Sequence, residues 1–152
     1  MTDLRKIALA ATLPASALLL CAALAAQAQP NQSLPINHAV NIEGVGLACS
    51  GVGLRAESNP RWKNYPVKLE VANNRGQYLA DETVTLFDSD AGAPIHVRCN
   101  APWLLMRLPA GQYQANVTLS NEGSQTISFE APRAGQQDVI VRFPGRNAAT
   151  AM

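Results

Sequence analysis

The sequence predicts an all-β domain, a seven-stranded antiparallel β-sandwich, behind an N-terminal leader. Three observations predict it. From Tyr65 onward apolar and polar residues alternate with period two in run after run, the pattern of strands with one buried and one wet face. Gly, Pro, Asn or Asp stands at nearly every joint between runs, at spacings of about eight to twelve residues, as sandwiches require. Beyond the leader no stretch has the 3.6-residue apolar period of an amphipathic helix.

The chain begins with Arg5 and Lys6, continues as an apolar run over residues 7–26 and closes that run with Ala26-Gln27-Ala28. A charged head, a greasy middle and a small-x-small end describe a secretory signal peptide over residues 1–28, cleaved after Ala28. A run of this length also suits an uncleaved membrane anchor, but Pro14 and the small residues before Gln29 favour cleavage. Cys21 raises lipid modification, against which stands Leu20 where a small residue is needed. The expected location is therefore periplasmic or secreted, with no stable membrane insertion after cleavage.

Residues 29–40, rich in Pro, Asn and Gln and without period, read as a mobile lead-in. The main domain then runs over residues 41–144, and residues 145–152 form a frayed tail. Its first stretch, residues 41–54, holds Gly44, Gly46, Gly51 and Gly53 and reads as a glycine-kinked edge strand or an extended arm carrying Cys49. Its Gly-x-Gly pairs lack the Lys-Ser or Lys-Thr of a phosphate cradle. A short helical turn fits before Pro60, and Trp62, between Arg61 and Lys63, either caps the core or stands exposed.

Seven strands follow. Val67, Leu69 and Val71 alternate with Lys68 and Glu70, and Asn73-Asn74-Arg75-Gly76 turns the chain. Val84 and Leu86 face one way and Thr83, Thr85 and Phe87 the other, before a polar loop at residues 88–92. Ile95, Val97 and Cys99 alternate with His96 and Arg98. Trp103 to Leu108 is apolar on both faces apart from Arg107, which suits a central strand and places Trp103 in the core; Pro109-Ala110-Gly111 then makes a corner. Tyr113, Ala115, Val117 and Leu119 form the next inward row, Ile127 and Phe129 the sixth strand, and Val139, Val141 and Phe143 the last.

Of 12 Lys and Arg and 11 Asp and Glu, loss of Arg5, Lys6 and Asp3 leaves ten of each sign without a basic run. That excludes a phosphate-tracking surface and with it a nucleic-acid partner. About 124 residues remain, enough for a self-sufficient core. Cys49 and Cys99 are then the only cysteines, and an oxidising compartment favours their pairing as a disulfide over two buried free thiols. Two isolated cysteines and the remote His38 and His96 lack metal-ligand spacing, so neither metal nor cofactor is expected.

The blocks Gly51-Val52-Gly53, Tyr65-Pro66-Val67-Lys68-Leu69, Gly76-Gln77-Tyr78-Leu79-Ala80-Asp81, Pro102-Trp103-Leu104-Leu105 and Leu108-Pro109-Ala110-Gly111-Gln112-Tyr113 resemble a family of small exported proteobacterial proteins, the carboxypeptidase regulatory-like group with a transthyretin-like or prealbumin-like sandwich. The resemblance spans residues 51–143. It implies a prealbumin-like or immunoglobulin-like fold and an envelope address, and no catalytic motif. Pro66, Ala101 and Ala110 stand where the family pattern has Asn, Gly and Pro, and the cysteine pair is an addition to that pattern.

No catalytic set is visible. A nucleophile needs a base that is itself oriented; His38 lies in the lead-in and His96 on the wet face of its strand. Similarity to transthyretin-like hydroxyisourate hydrolases fails at the last strand, which ends Val141-Arg142-Phe143-Pro144-Gly145 in place of a Tyr-Arg-Gly-Ser tail. Asp88 and Asp90 around Ser89, and Asp81-Glu82, read as turn carboxylates rather than a calcium site, with Asp81 bonded to backbone or paired with a cation such as Arg107. Among the aromatics only Trp62 and Tyr78 remain as a possible binding surface. The expected function is a monomeric, non-enzymatic binding protein that recognises another protein or an envelope component through a sheet edge or end loops. The alternatives are a carbohydrate-binding module for cell-wall or extracellular glycan and an enzyme of unrecognised type.

Overall fold

The computed structural model describes residues 31–88 and 92–144. The leader at 1–28, Ser89 and Asp90 of the acidic loop, and the tail at 145–152 lie outside the described residues. Two five-stranded sheets face each other. In chain order the strands are β1 (Gln32–Ser33), β2 (Ala39–Ile42), β3 (Val45–Ser50), β4 (Val67–Asn73), β5 (Glu82–Asp88), β6 (Ile95–Cys99), β7 (Trp103–Arg107), β8 (Gly111–Leu119), β9 (Gly123–Ala131) and β10 (Gln137–Phe143), with a short helix α1 (Leu54–Glu57) and a 3-10 turn (Trp62–Asn64) between β3 and β4. Sheet I has the order β1-β6-β5-β8-β9 and sheet II the order β10-β4-β7-β3-β2.

The seven expected strands are β4 to β10; the described chain has ten. The additional three come from residues 31–50, part of which the sequence offers as a mobile lead-in. Ile42 pairs with Val45 across Glu43 and Gly44, whose φ angles of 51° and 85° make the two-residue turn that matches strand twist, and Asn41 Oδ1 accepts the Gly44 N–H at 3.0 Å. Leu34 is 4% exposed, and its N–H donates to the Arg98 carbonyl at 2.9 Å. Over residues 31–38 one buried leucine and a few backbone bonds hold the chain, too little to show as a period.

The sheets are mixed, not purely antiparallel. β10 runs parallel to β4 from Gln137 against Val67 to Phe143 against Asn73, and β1 runs parallel to β6. β7 is the central strand of sheet II, as its two apolar faces predict. Leu104 and Met106 join Leu47, Leu69, Val84, Val97, Val117 and Phe143 in the core between the sheets. Leu105 instead packs with Ala48, Trp62 and Tyr65, and Trp103 shares its outward parity. Trp103 is therefore buried on the outer face of sheet II rather than in the core. Lys68 Nζ lies 4.4 Å from the centre of its ring. Burial by itself pulls the Lys68 ammonium down, but bonds and charge from Glu70 (2.7 Å) and Asp138 (3.2 Å) outweigh it and hold its pKa above the ordinary value.

The chain crosses from sheet II to sheet I at Leu108-Pro109-Ala110. There the Tyr113 hydroxyl donates to the Pro109 carbonyl at 3.0 Å, and its ring stacks on Phe129 at 5.9 Å between centroids. This is a tyrosine corner of the kind that sandwiches use to fix such a crossing. Tyr113→Phe should keep the packing and lose about 1 kcal/mol, measurable as a lower urea midpoint with an unchanged slope.

Candidate functional site

Cys49 on β3 and Cys99 on β6 form a disulfide with Cα atoms 5.5 Å apart, joining the two sheets through the core. The residue opposite Cys99 across the sheet is Glu82, which on its other side faces Leu119. Cross-strand partners share a face, so Glu82, first in the inward row Glu82, Val84, Leu86, places a carboxyl in the apolar interior. It is 0% exposed, and neither oxygen has a hydrogen-bond partner. Burial pushes its pKa up to about 8; its own backbone N–H opposes this and the neighbouring Asp81 charge adds to it. At neutral pH most molecules hold it protonated. Buried carboxyls with raised pKa values suit general acids, but Glu82 opens into none of the clefts described below.

Asp81 stands beside it with φ of 71°, a left-handed conformation that Asp tolerates. Its carboxylate takes two bonds from Arg98, at 2.6 and 2.9 Å. The cation paired with Asp81 is thus Arg98, because β6 lies next to β5, while Arg107 sits 5.0 Å from the Tyr65 ring on sheet II. His96 Nδ1 is 3.1 Å from Thr85 Oγ1 and His38 is exposed. Among the described residues no three His, Cys, Asp or Glu side chains converge as a metal site.

The aromatic surface expected from Trp62 and Tyr78 does not assemble. Trp62 is 4% exposed, packed against Ala48, Tyr65 and Leu105, with Arg61 5.2 Å from its ring centre. Gln136 Nε2 clamps this segment by donating to the carbonyls of Trp62 at 2.7 Å and Tyr65 at 2.9 Å. Tyr78 is 45% exposed and bridges Ala72 of β4. Charged neighbours at Arg61 and Lys63 disguised Trp62; the apolar surface it covers, Ala48 and Leu105, is supplied by strands far away in sequence.

Two other surfaces are better formed, one of them a sheet edge of the kind the sequence leads one to expect. The first is the outer face of sheet I, where β5, β8 and β9 align uncharged polar side chains in cross-strand rows: Thr85-Asn116-Thr126 and Thr83-Thr118-Ser124. Asn116 Nδ2 donates to Thr126 Oγ1 at 2.9 Å, and the hydroxyls of Thr118 and Ser124 are 2.7 Å apart. At one end lies a groove of about 400 Å³ that includes Phe87, Gln112, Gln114 and Ser128. The second surface is the outer edge of β9, the end strand of sheet I, which has no ladder partner beyond it although β10 of sheet II lies close by; β9 has nine residues with Glu130 as the single charge. The other outer strands are shorter or carry charge of both signs: β1 and β2 have two and four residues, and β10 holds Asp138 and Arg142.

Three smaller hollows lie elsewhere among the described residues. A cleft of about 330 Å³ lies between Asn37, Asn59, Arg55 and Arg61; an apolar one of about 260 Å³ lies by Val45, Leu86, Ile95 and Leu108; and one of about 170 Å³ lies by Leu79, Asp81 and Asn121. Among the described residues no helix is long and apolar enough to cross a membrane. No family model matches the chain, and no curated protein is similar to it.

Proposed function

We propose that this chain is an exported, non-enzymatic β-sandwich that binds another protein of the cell envelope by accepting an extended segment of it along β9. The open edge of β9 carries this reading. An unpaired strand offers a row of N–H and C=O groups to a partner, and strands that must stay alone are short, charged, bulged or covered. β9 keeps nine residues with one carboxylate. Export is supported by the leader composition of residues 1–28 and by the Cys49–Cys99 bridge, which suits an oxidising compartment.

The test is site-specific crosslinking in the envelope. A photoreactive residue at Ser124 on β9 should give one discrete adduct, and the same probe at Ile140 on β10 should give none. Gln125 is half-buried in the β9 row opposite Val117, so Gln125→Lys gives β9 an inward-pointing charge of the kind that keeps edge strands alone and should abolish the adduct, with circular dichroism checking that the sandwich is retained. An adduct that persists in Gln125→Lys, or equal labelling from both probes, overturns the proposal.

A further inference from the structure

The groove beside Phe87 opens on the outer face of sheet I and reaches β9 at Ser128. Phe87 is 39% exposed, whereas Phe129 and Phe143 are buried. Among the described residues it is the one Phe, Tyr or Trp on the outer face of sheet I. In register with it stand Gln114 and then Ser128, and Gln112 completes the amide pair along β8. An apolar ring flanked by primary amides and a hydroxyl matches the two faces of a pyranose. The ring's C–H side stacks on an aromatic, and its hydroxyls exchange hydrogen bonds with amides and hydroxyls.

Charge narrows the ligand. Among the described residues the groove lining contains no Lys or Arg and Asp88 is its one charged side chain, with Glu130 in register with Gln112 on the same face. Phosphate polymers and uronic-acid glycans therefore find no counter-charge there and meet a carboxylate. Arg98, elsewhere on this face, is occupied by Asp81. A protein segment finds a single apolar anchor here, too little for a packed interface centre. A neutral glycan needs only what is present.

The rest of the face extends the match. Beyond the groove the rows Thr85-Asn116-Thr126 and Thr83-Thr118-Ser124 repeat donors and acceptors from strand to strand, about 4.8 Å apart, a step comparable to one sugar ring. Their mutual bonds, with Thr118 also donating to Asn116 Oδ1 at 3.3 Å, hold these side chains in place before a ligand arrives, which lowers the ordering cost of binding. We propose that the outer face of sheet I binds a neutral polysaccharide running across the strands, one ring stacked on Phe87 and held by Gln112, Gln114 and Ser128.

The experiment titrates cellohexaose, chitohexaose and polygalacturonate into the isotope-labelled mature chain and follows backbone amide shifts. At least one of the two neutral hexaoses should shift residues 85–87, 112–116 and 126–128, and polygalacturonate should not. Phe87→Ala should weaken that binding at least tenfold, and Gln114→Ala should weaken it severalfold with the shift pattern retained. Tryptophan emission should stay constant, since Trp103 is on β7 of sheet II and Trp62 packs against that sheet at Ala48 and Leu105. The Ser124 crosslink should survive Phe87→Ala, which separates this proposal from the edge reading. No shifts with either neutral hexaose at millimolar concentration, shifts confined to other surfaces, or equal binding of polygalacturonate would overturn it.

Discussion

Replacing Glu82 with Met should stabilise the protein by about 3 kcal/mol more at pH 8 than at pH 5. The unfolded chain releases the Glu82 proton near the ordinary carboxyl value of 4.5, while the folded chain keeps it up to about 8. Between those values the native state binds one proton more than the unfolded state, so stability falls as pH rises, by about 1.4 kcal/mol per pH unit from this group. Below both values the penalty is absent. Methionine has similar length, suits the surroundings of Cys99 and Leu119, and carries no charge to desolvate. Urea unfolding of both proteins at half-unit pH steps measures the difference. Glu82→Gln should remove the same slope. A constant stability difference across the window would sink the assignment of a protonated Glu82.

Removing the bridge is the second large effect. The cross-link spans a separation of 50 residues, and in the chain-entropy model a loop of that size is worth about 4 kcal/mol. Cys49→Ala with Cys99→Ala should therefore lower the unfolding free energy by about 4 kcal/mol. The N-terminal arm should loosen first. Ile36 bridges Cys49, the Asn37 N–H donates to the Cys49 carbonyl at 2.7 Å, and β1 pairs with the residues just before Cys99. Limited proteolysis of the double variant should cut within residues 31–38, where the oxidised protein resists. Thiol labelling of the native wild-type protein should find neither cysteine free.

What could be read in advance follows from where the information sits. Alternation is written locally, so β4 to β10, the inward rows Val84-Leu86 and Ile95-Val97-Cys99, the central place of β7 and the bridge were legible. Three kinds of fact were not. The β2-β3 turn uses Glu43-Gly44, a weaker signal than Asn-Gly, and the arm before it is held by Leu34 and backbone bonds. The burial of Trp62 depends on Ala48 and Leu105, on strands that only the fold places under it. The outer rows of sheet I are ordinary polar positions within each strand and become an array only once the register of β5, β8 and β9 is known. Glu82 misled in the opposite direction: a carboxylate next to Asp81 at the start of a strand looks like a turn residue, yet strand parity points it inward.

The parallel pairing of β10 with β4 also bears on how such a chain is made. Val67 finds its neighbour only when Gln137 exists, so one border of sheet II stays open until synthesis has passed β10. Contacts this distant in sequence form slowly. That delay makes β10 the last strand of the domain to lock, and a ribosome stalled before Gln137 leaves β4 without this parallel neighbour.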